Sequence, residues 1–221
     1  MFDISQLMDM FGFLSPTVAS YASLLLALLV VVLPEWRGAL LALMIQYVVA
    51  GWLLSQELAP DVAVLKIAAG MVICLAIYLS ARQADVMMTK NDDIRTRIGD
   101  SKPSISLTFR LIITAATATT VVVATTSGYL RLPEISGPTS LAAISAMAMG
   151  CLALGLHSDP LRAGMGLLTS LAGFDLFYHS LEQGVTVIGM MIGLGLLVAM
   201  VISYLSAAQY LPPPDHEENA S

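Results

Sequence analysis

Residues 61–82 read DVAVLKIAAGMVICLAIYLSAR. Between Asp61 at one end and Arg82 at the other, the only charged side chain is Lys66. An apolar run of about 20 residues at 1.5 Å rise per residue matches a hydrocarbon core roughly 30 Å thick. The stretch therefore reads as a membrane-spanning helix with a lysine early in it. Both features are informative, because an ionisable group inside a span costs about 2.5–3.5 kcal/mol on insertion scales and is a functional candidate by default.

Outward from this stretch, six more charge-poor apolar runs read as spans, at 15–33, 38–56, 109–130, 138–156, 161–182 and 185–207. The boundaries carry turn and interface signals. Leu33-Pro34-Glu35-Trp36-Arg37 joins a helix breaker to an aromatic–cation anchor, Pro60 suits the start of the third helix, and His157-Ser158-Asp159-Pro160 precedes the sixth. The fold expected is an all-α integral membrane protein of seven transmembrane helices. A three-helix part occupies 1–82, a charged cytoplasmic loop 83–108, a four-helix part 109–207 and a disordered acidic tail 208–221. The stretch from Met10 to Pro34 follows an N-terminus without Lys or Arg. It is expected to be kept as a helix rather than cleaved as a signal peptide.

Composition agrees with that reading. Of 221 residues, 57% are apolar and 12% charged, where soluble domains carry roughly 45–50% and about 25%. So little charge does not cover a soluble surface. A net charge of −6 with ten Lys and Arg excludes a nucleic-acid-binding role. Orientation follows from the basic residues, which favour the cytoplasm. If the 83–108 loop, with Lys90, Arg95, Arg97 and Lys102, lies inside, then Arg37, Arg82, Arg110 and Arg162 do too, leaving only Lys66 and Arg131 toward the other side. This places the N-terminus outside and the C-terminus inside.

Two ionisable residues lie well within spans: Lys66 and, in LLTSLAGFDLFYHSLEQG, Asp175. His179 and Glu182 follow Asp175 at i+4 and i+7, on one helical stripe, while Tyr178 lies about 100° around the helix from His179. By helix rise, Lys66 stands about 9 Å, Asp175 about 6 Å and His179 about 12 Å from the midplane, all toward the outside. Lys66 and Asp175 are expected to pair, directly or through water. The pair suits a charge relay; it also suits a helix lock that only neutralises two buried charges, and Lys66 is near enough to the interface to snorkel. His179 reads as a relay member or a hydrogen-bonded interfacial histidine, Glu182 as an interfacial acid, and Tyr178 as an accessory group.

The remaining features are structural. Cys74 and Cys151 have no CxxC or zinc spacing and read as small buried hydrophobes. Gly189 and Gly193 form a GxxxG spacing on helix seven, and Gly164 and Gly166 thin the start of helix six; both suit close helix packing. The threonines of helix four (Thr114, Thr117, Thr119, Thr120, Thr125 and Thr126) can back-bond to their own helix or bridge to another, and suit interhelical contacts or the wall of a hydrated path. There is no HExxH, GxSxG, Walker or GxGxxG sequence. His157 and His179 lie over about 20 Å apart in depth, too far to hold a haem together. No cofactor or metal is expected, nor catalysis by this chain alone.

A seven-span layout with Lys66 early in helix three, followed by YLSAR at Tyr78 to Arg82, resembles component E of hydrogenase-4. The stretch LALGLHSDPLRAGMGLLTSLAGFDLFYHSLE, residues 152–182, is similar in layout to part of the small K-type membrane subunit of respiratory complex I. The resemblance implies a non-catalytic membrane subunit of a redox-driven proton or sodium pump, packed against antiporter-like subunits, with Lys66 and Asp175 in a charge relay. The K-type pattern has a carboxylate in each of two consecutive spans. Helix seven here has no ionisable group except Tyr204, and the acid of helix six is Asp, farther along its helix. The classes left open are a pump subunit, a structural or assembly membrane protein, and a small solute transporter.

Overall fold

The computed structural model describes residues 15–56, 60–95, 107–129, 136–181 and 184–208. The side chains of 60–61, 84–95, 180–181, 185 and 207 are not included. Among the described residues the chain is all-helical. The helices are α1 (Pro16–Val32), α2 (Trp36–Ser55), α3 (Pro60–Arg95), α4 (Leu107–Thr126), α5 (Gly137–Leu156), α6 (Pro160–Leu181) and α7 (Val185–Ala208). Local signals set their ends. Ser15 caps α1, its hydroxyl accepting from the Val18 N–H at 3.4 Å, and Pro16 opens the helix. At the start of α2, Arg37 lies 5.1 Å over the Trp36 ring, and that ring meets Tyr78 of α3 at 6.0 Å.

Five helical segments are long and apolar enough to cross a membrane: Trp36–Ser55, Val62–Gln83, Leu107–Thr126, Gly137–Leu156 and Thr186–Ser206. Seven were expected. The α1 helix is apolar but only 17 residues long. The 22 residues of α6 include Arg162, Asp175 and His179, which lower its mean hydropathy. Large apolar side chains point outward, among them Val72, Leu75 and Leu79 on α3 and Leu197, Met200 and Val201 on α7. An apolar exterior of this extent suits hydrocarbon rather than water as the surrounding medium.

The third helix corrects the expected boundary at residue 82. It continues to Arg95, about 54 Å in all, so 83–95, expected as loop, is helical. Charge ends an apolar span but does not end a helix. QADVMMTKNDDIR contains no Gly or Pro, and the first of either after Arg82 is Gly99. Residues 96–106 and the tail from 209 lie outside the described residues.

The α6 helix is central, packing on α5, α7, α2 and, more lightly, α1. Its packing on α5 is the most extensive among the described helices, and glycines bring the two backbones together. A Cβ on Gly150 would lie 2.4 Å from the Ser170 amide nitrogen, and one on Gly173 would lie 2.6 Å from the Ala143 carbonyl oxygen. Backbone meets backbone there, as small residues allow in lipid. The GxxxG pair of α7 does not do this: Gly189 and Gly193 are exposed, with nothing within 4 Å of an added Cβ. On α7 the spacing identified the wrong stripe, because GxxxG says that a helix can be approached and not that it is; Gly166 of α6, also singled out, does pack closely, its added Cβ lying 3.0 Å from the Gly150 carbonyl oxygen.

One reading is narrowed and one expectation changes. The α4 threonines bond their own helix: Thr114 donates to the Arg110 carbonyl at 2.6 Å, Thr120 to Ala116 at 2.8 Å and Thr126 to Val122 at 2.7 Å. Back-bonding satisfies a hydroxyl locally where no partner helix is available, and only Thr114 and Val121 of α4 are buried. Cys74 is buried as expected, whereas Cys151 is exposed on α5, its Sγ 3.7 Å from the Ser170 hydroxyl of α6.

Substituting Gly150 by Leu should force α5 and α6 apart, since the atoms it meets are backbone. A loss of about 3 kcal/mol or more is expected, seen as a lowered unfolding temperature in detergent. Gly189→Leu, made into open space, should leave that temperature unchanged.

Candidate functional site

Lys66 lies in the second turn of α3, and Asp175 near the far end of α6. They form a direct salt bridge. Lys66 is 5% exposed, Asp175 7% and His179 0%, so the pair is sealed inside the bundle and Lys66 does not snorkel. Each charge removes the other's isolation. Alone in a low-dielectric interior either would carry several kcal/mol of desolvation cost, offset only when the partner and further hydrogen bonds are in place.

His179 completes the cluster. One turn beyond Asp175 on the same stripe, its Nδ1 donates to the Asp175 carbonyl oxygen at 2.8 Å and lies 2.9 Å from carboxylate Oδ1. A carbonyl oxygen only accepts, so Nδ1 carries hydrogen and the remaining nitrogen, Nε2, is where the ring gains or loses a proton. That Nε2 is buried without a hydrogen-bond partner. The sequence reads His179 as a relay member or an interfacial histidine; the packing of α6 against its neighbours buries it fully.

The other residues singled out in the sequence stand apart. Tyr178 is half-buried on a different face of α6, its ring 6.0 Å from Phe174. Glu182 lies outside the described residues. His157 caps the opposite end of the preceding helix, its Nδ1 donating to the Ala153 carbonyl at 3.0 Å. No group of three metal-ligating side chains occurs among the described residues.

The fold adds residues that the sequence reading passed over. A cavity of about 20 Å³ adjoins the ion pair, lined by Tyr47, Lys66, Gly70, Asp175, Met191 and Gly195 among others. That volume is room for about one water molecule. Tyr47 enters it from α2, and α3 accommodates the tyrosine because residue 70 is glycine: a Cβ there would lie 2.6 Å from the Tyr47 ring. Beside it in sequence, Gln46 is fully buried with both amide atoms unpaired. The signal was present as a Gln-Tyr pair inside the apolar run LALMIQYVVAGW. Neutral polar residues are cheaper in a span than charges, so they stand out less.

No protein-family model, curated protein or solved structure matches the chain. The chemistry of the cluster therefore stands on its geometry. A cation, an anion and an imidazole in contact, beside space for one water, can hold a charge or exchange a proton.

Lys66→Met and Asp175→Asn should each destabilise the chain in detergent. Each leaves its partner buried without an opposite charge, or with only a neutral amide for company, at about 3–5 kcal/mol for a fully orphaned charge. The double variant Lys66→Met/Asp175→Asn should be distinctly more stable than the sum of the two losses. Strict additivity in the unfolding free energies would show that the two side chains do not depend on each other.

Proposed function

We propose that the chain is a non-catalytic membrane subunit of a redox-driven proton- or sodium-translocating complex, complex I-like or membrane-bound hydrogenase-like. It lies in a prokaryotic-type cytoplasmic membrane beside antiporter-like subunits, and its partners carry the redox centres. All seven helices cross the bilayer, with the N-terminus outside and the C-terminus inside. The support for that orientation is the distribution of Lys and Arg along the sequence. Lys66, Asp175 and His179 contribute buried charge to a polar axis that continues through neighbouring subunits.

The observation that carries this reading is the buried Lys66–Asp175–His179 cluster. A bundle of this size needs no ionisable group for stability, and well-packed apolar residues often do as well or better. Three such groups in mutual contact are the parts of an intramembrane relay. A second reading, a structural or assembly protein, is favoured by one feature: Lys66 and Asp175 touch directly, as a helix lock would require.

The readings separate in the assembled complex. Asp175→Asn, nearly isosteric, should lower ion pumping by at least about tenfold while the subunits still co-purify in mild detergent. If Asp175→Asn and Lys66→Ala both leave pumping unchanged in an intact complex, the relay is refuted and the lock remains. If the chain purifies without antiporter-like partners under the same conditions, the subunit assignment itself fails.

A further inference from the structure

At the end of the bundle where α1 turns into α2 and α5 into α6, four helix ends converge on two arginines and a histidine. Arg162, in the first turn of α6, donates to the Leu33 carbonyl at the end of α1, at a long 3.4 Å. His157 closes α5, its Nδ1 tied to Ala153. Arg110 comes from α4, one turn before Ile113, and Ile113 packs against the cluster that includes Val31, Ala153 and Leu156. That contact brings the Arg110 turn to the end of α5.

The donors there are under-used. Arg110 Nε is buried without a hydrogen-bond partner among the described residues, and Arg162 has one weak bond to a carbonyl; His157 Nε2, also unpartnered, donates only when the ring is protonated, since Nδ1 already carries the hydrogen. Burial lowers the His157 pKa below its ordinary value; the Ala153 hydrogen bond opposes this, and the charges of Arg110 and Arg162 push it lower still. All three groups therefore share one electrostatic neighbourhood, and the nearby acid, Asp159, is exposed. Two guanidinium groups near each other repel unless an anion lies between them. The first turn of α6 adds the positive end of its dipole.

We propose that Arg110 and Arg162, beside His157, bind the phosphate of an anionic lipid headgroup at the seam of α4, α5 and α6. A lipid, rather than free phosphate, fits the surroundings. Both arginines are half-buried and open to the surface, and Arg110 is flanked by Phe109, Leu111 and Ile112, which are 50%, 50% and 61% exposed. Arginine clamps the phosphate through paired N–H groups, while the apolar neighbours cover the acyl chains. Basic pockets between helix ends hold anionic headgroups by this combination. The site is independent of the Lys66–Asp175 cluster and stands whether or not the chain conducts ions.

The full chain in neutral detergent, titrated with phosphatidylglycerol, phosphatidylcholine or inorganic phosphate, tests this by native mass spectrometry and thermal unfolding. Phosphatidylglycerol should be retained and should raise the unfolding temperature, and phosphatidylcholine should do neither. Retention should fall by about tenfold or more in Arg110→Gln/Arg162→Gln, and should persist in Arg37→Gln, whose guanidinium stands over Trp36. Equal responses to the two lipids, or undiminished retention by the double variant, overturn the site. An equal response to inorganic phosphate overturns the lipid assignment. If the double variant does not fold, Arg110→Gln alone decides by the same retention.

Discussion

The contact between Lys66 and Asp175 constrains the bundle more than any other single interaction. Two groups that each resist transfer into hydrocarbon are sealed in the interior, so the helices carrying them, α3 and α6, must keep one register and one rotation. A slide of one residue along either axis moves a head group by about 1.5 Å and turns it by about 100°. Apolar ridges tolerate such slips with modest repacking; a buried ion pair does not. Specificity of this kind does not require that the pair add net stability.

The glycine-lined contact between α5 and α6 prepares that register. Gly173 presses α6 against the Ala143 carbonyl. Asp175 follows two residues later, about 200° around the helix, and so is presented on the opposite side, toward α3. His179 lies close to the Asp175 stripe at i+4 and takes its hydrogen bond from the same turn. One face of α6 is thus fixed by backbone packing, and the other carries all the chemistry. On the far side, Gly70 and Gly195 thin α3 and α7 so that Tyr47 and Ile73 fit beside the pair.

Lys66, Asp175 and His179 were legible because a charge or imidazole within an apolar run is rare and has one common remedy, a partner at the same depth. The order of the described helices was legible because apolar length is a local property. What escaped were the properties set by neighbours. The identity of the packing glycines depends on which faces meet, so Gly150 and Gly173 gave no stronger signal than Gly189 and Gly193. The end of α3 escaped because hydropathy reports where lipid ends, whereas helix termination needs Gly, Pro or a cap, and none occurs before Arg95. Tyr47 escaped because its role depends on Gly70 across an interface.

The geometry also limits what this chain does by itself. His179 Nδ1 is held by the Asp175 carbonyl and carboxylate, so proton exchange at the imidazole has to pass through Nε2, and the cavity beside the pair takes about one water. On α7, which lines the other side of that cavity, Tyr204 is 71% exposed and lies near the helix end, far from the pair. A charge reaching Asp175 therefore has no second carboxylate on the next helix to receive it. On the relay reading proposed above, the cluster is one station rather than a route, and an onward path would need groups from outside this chain.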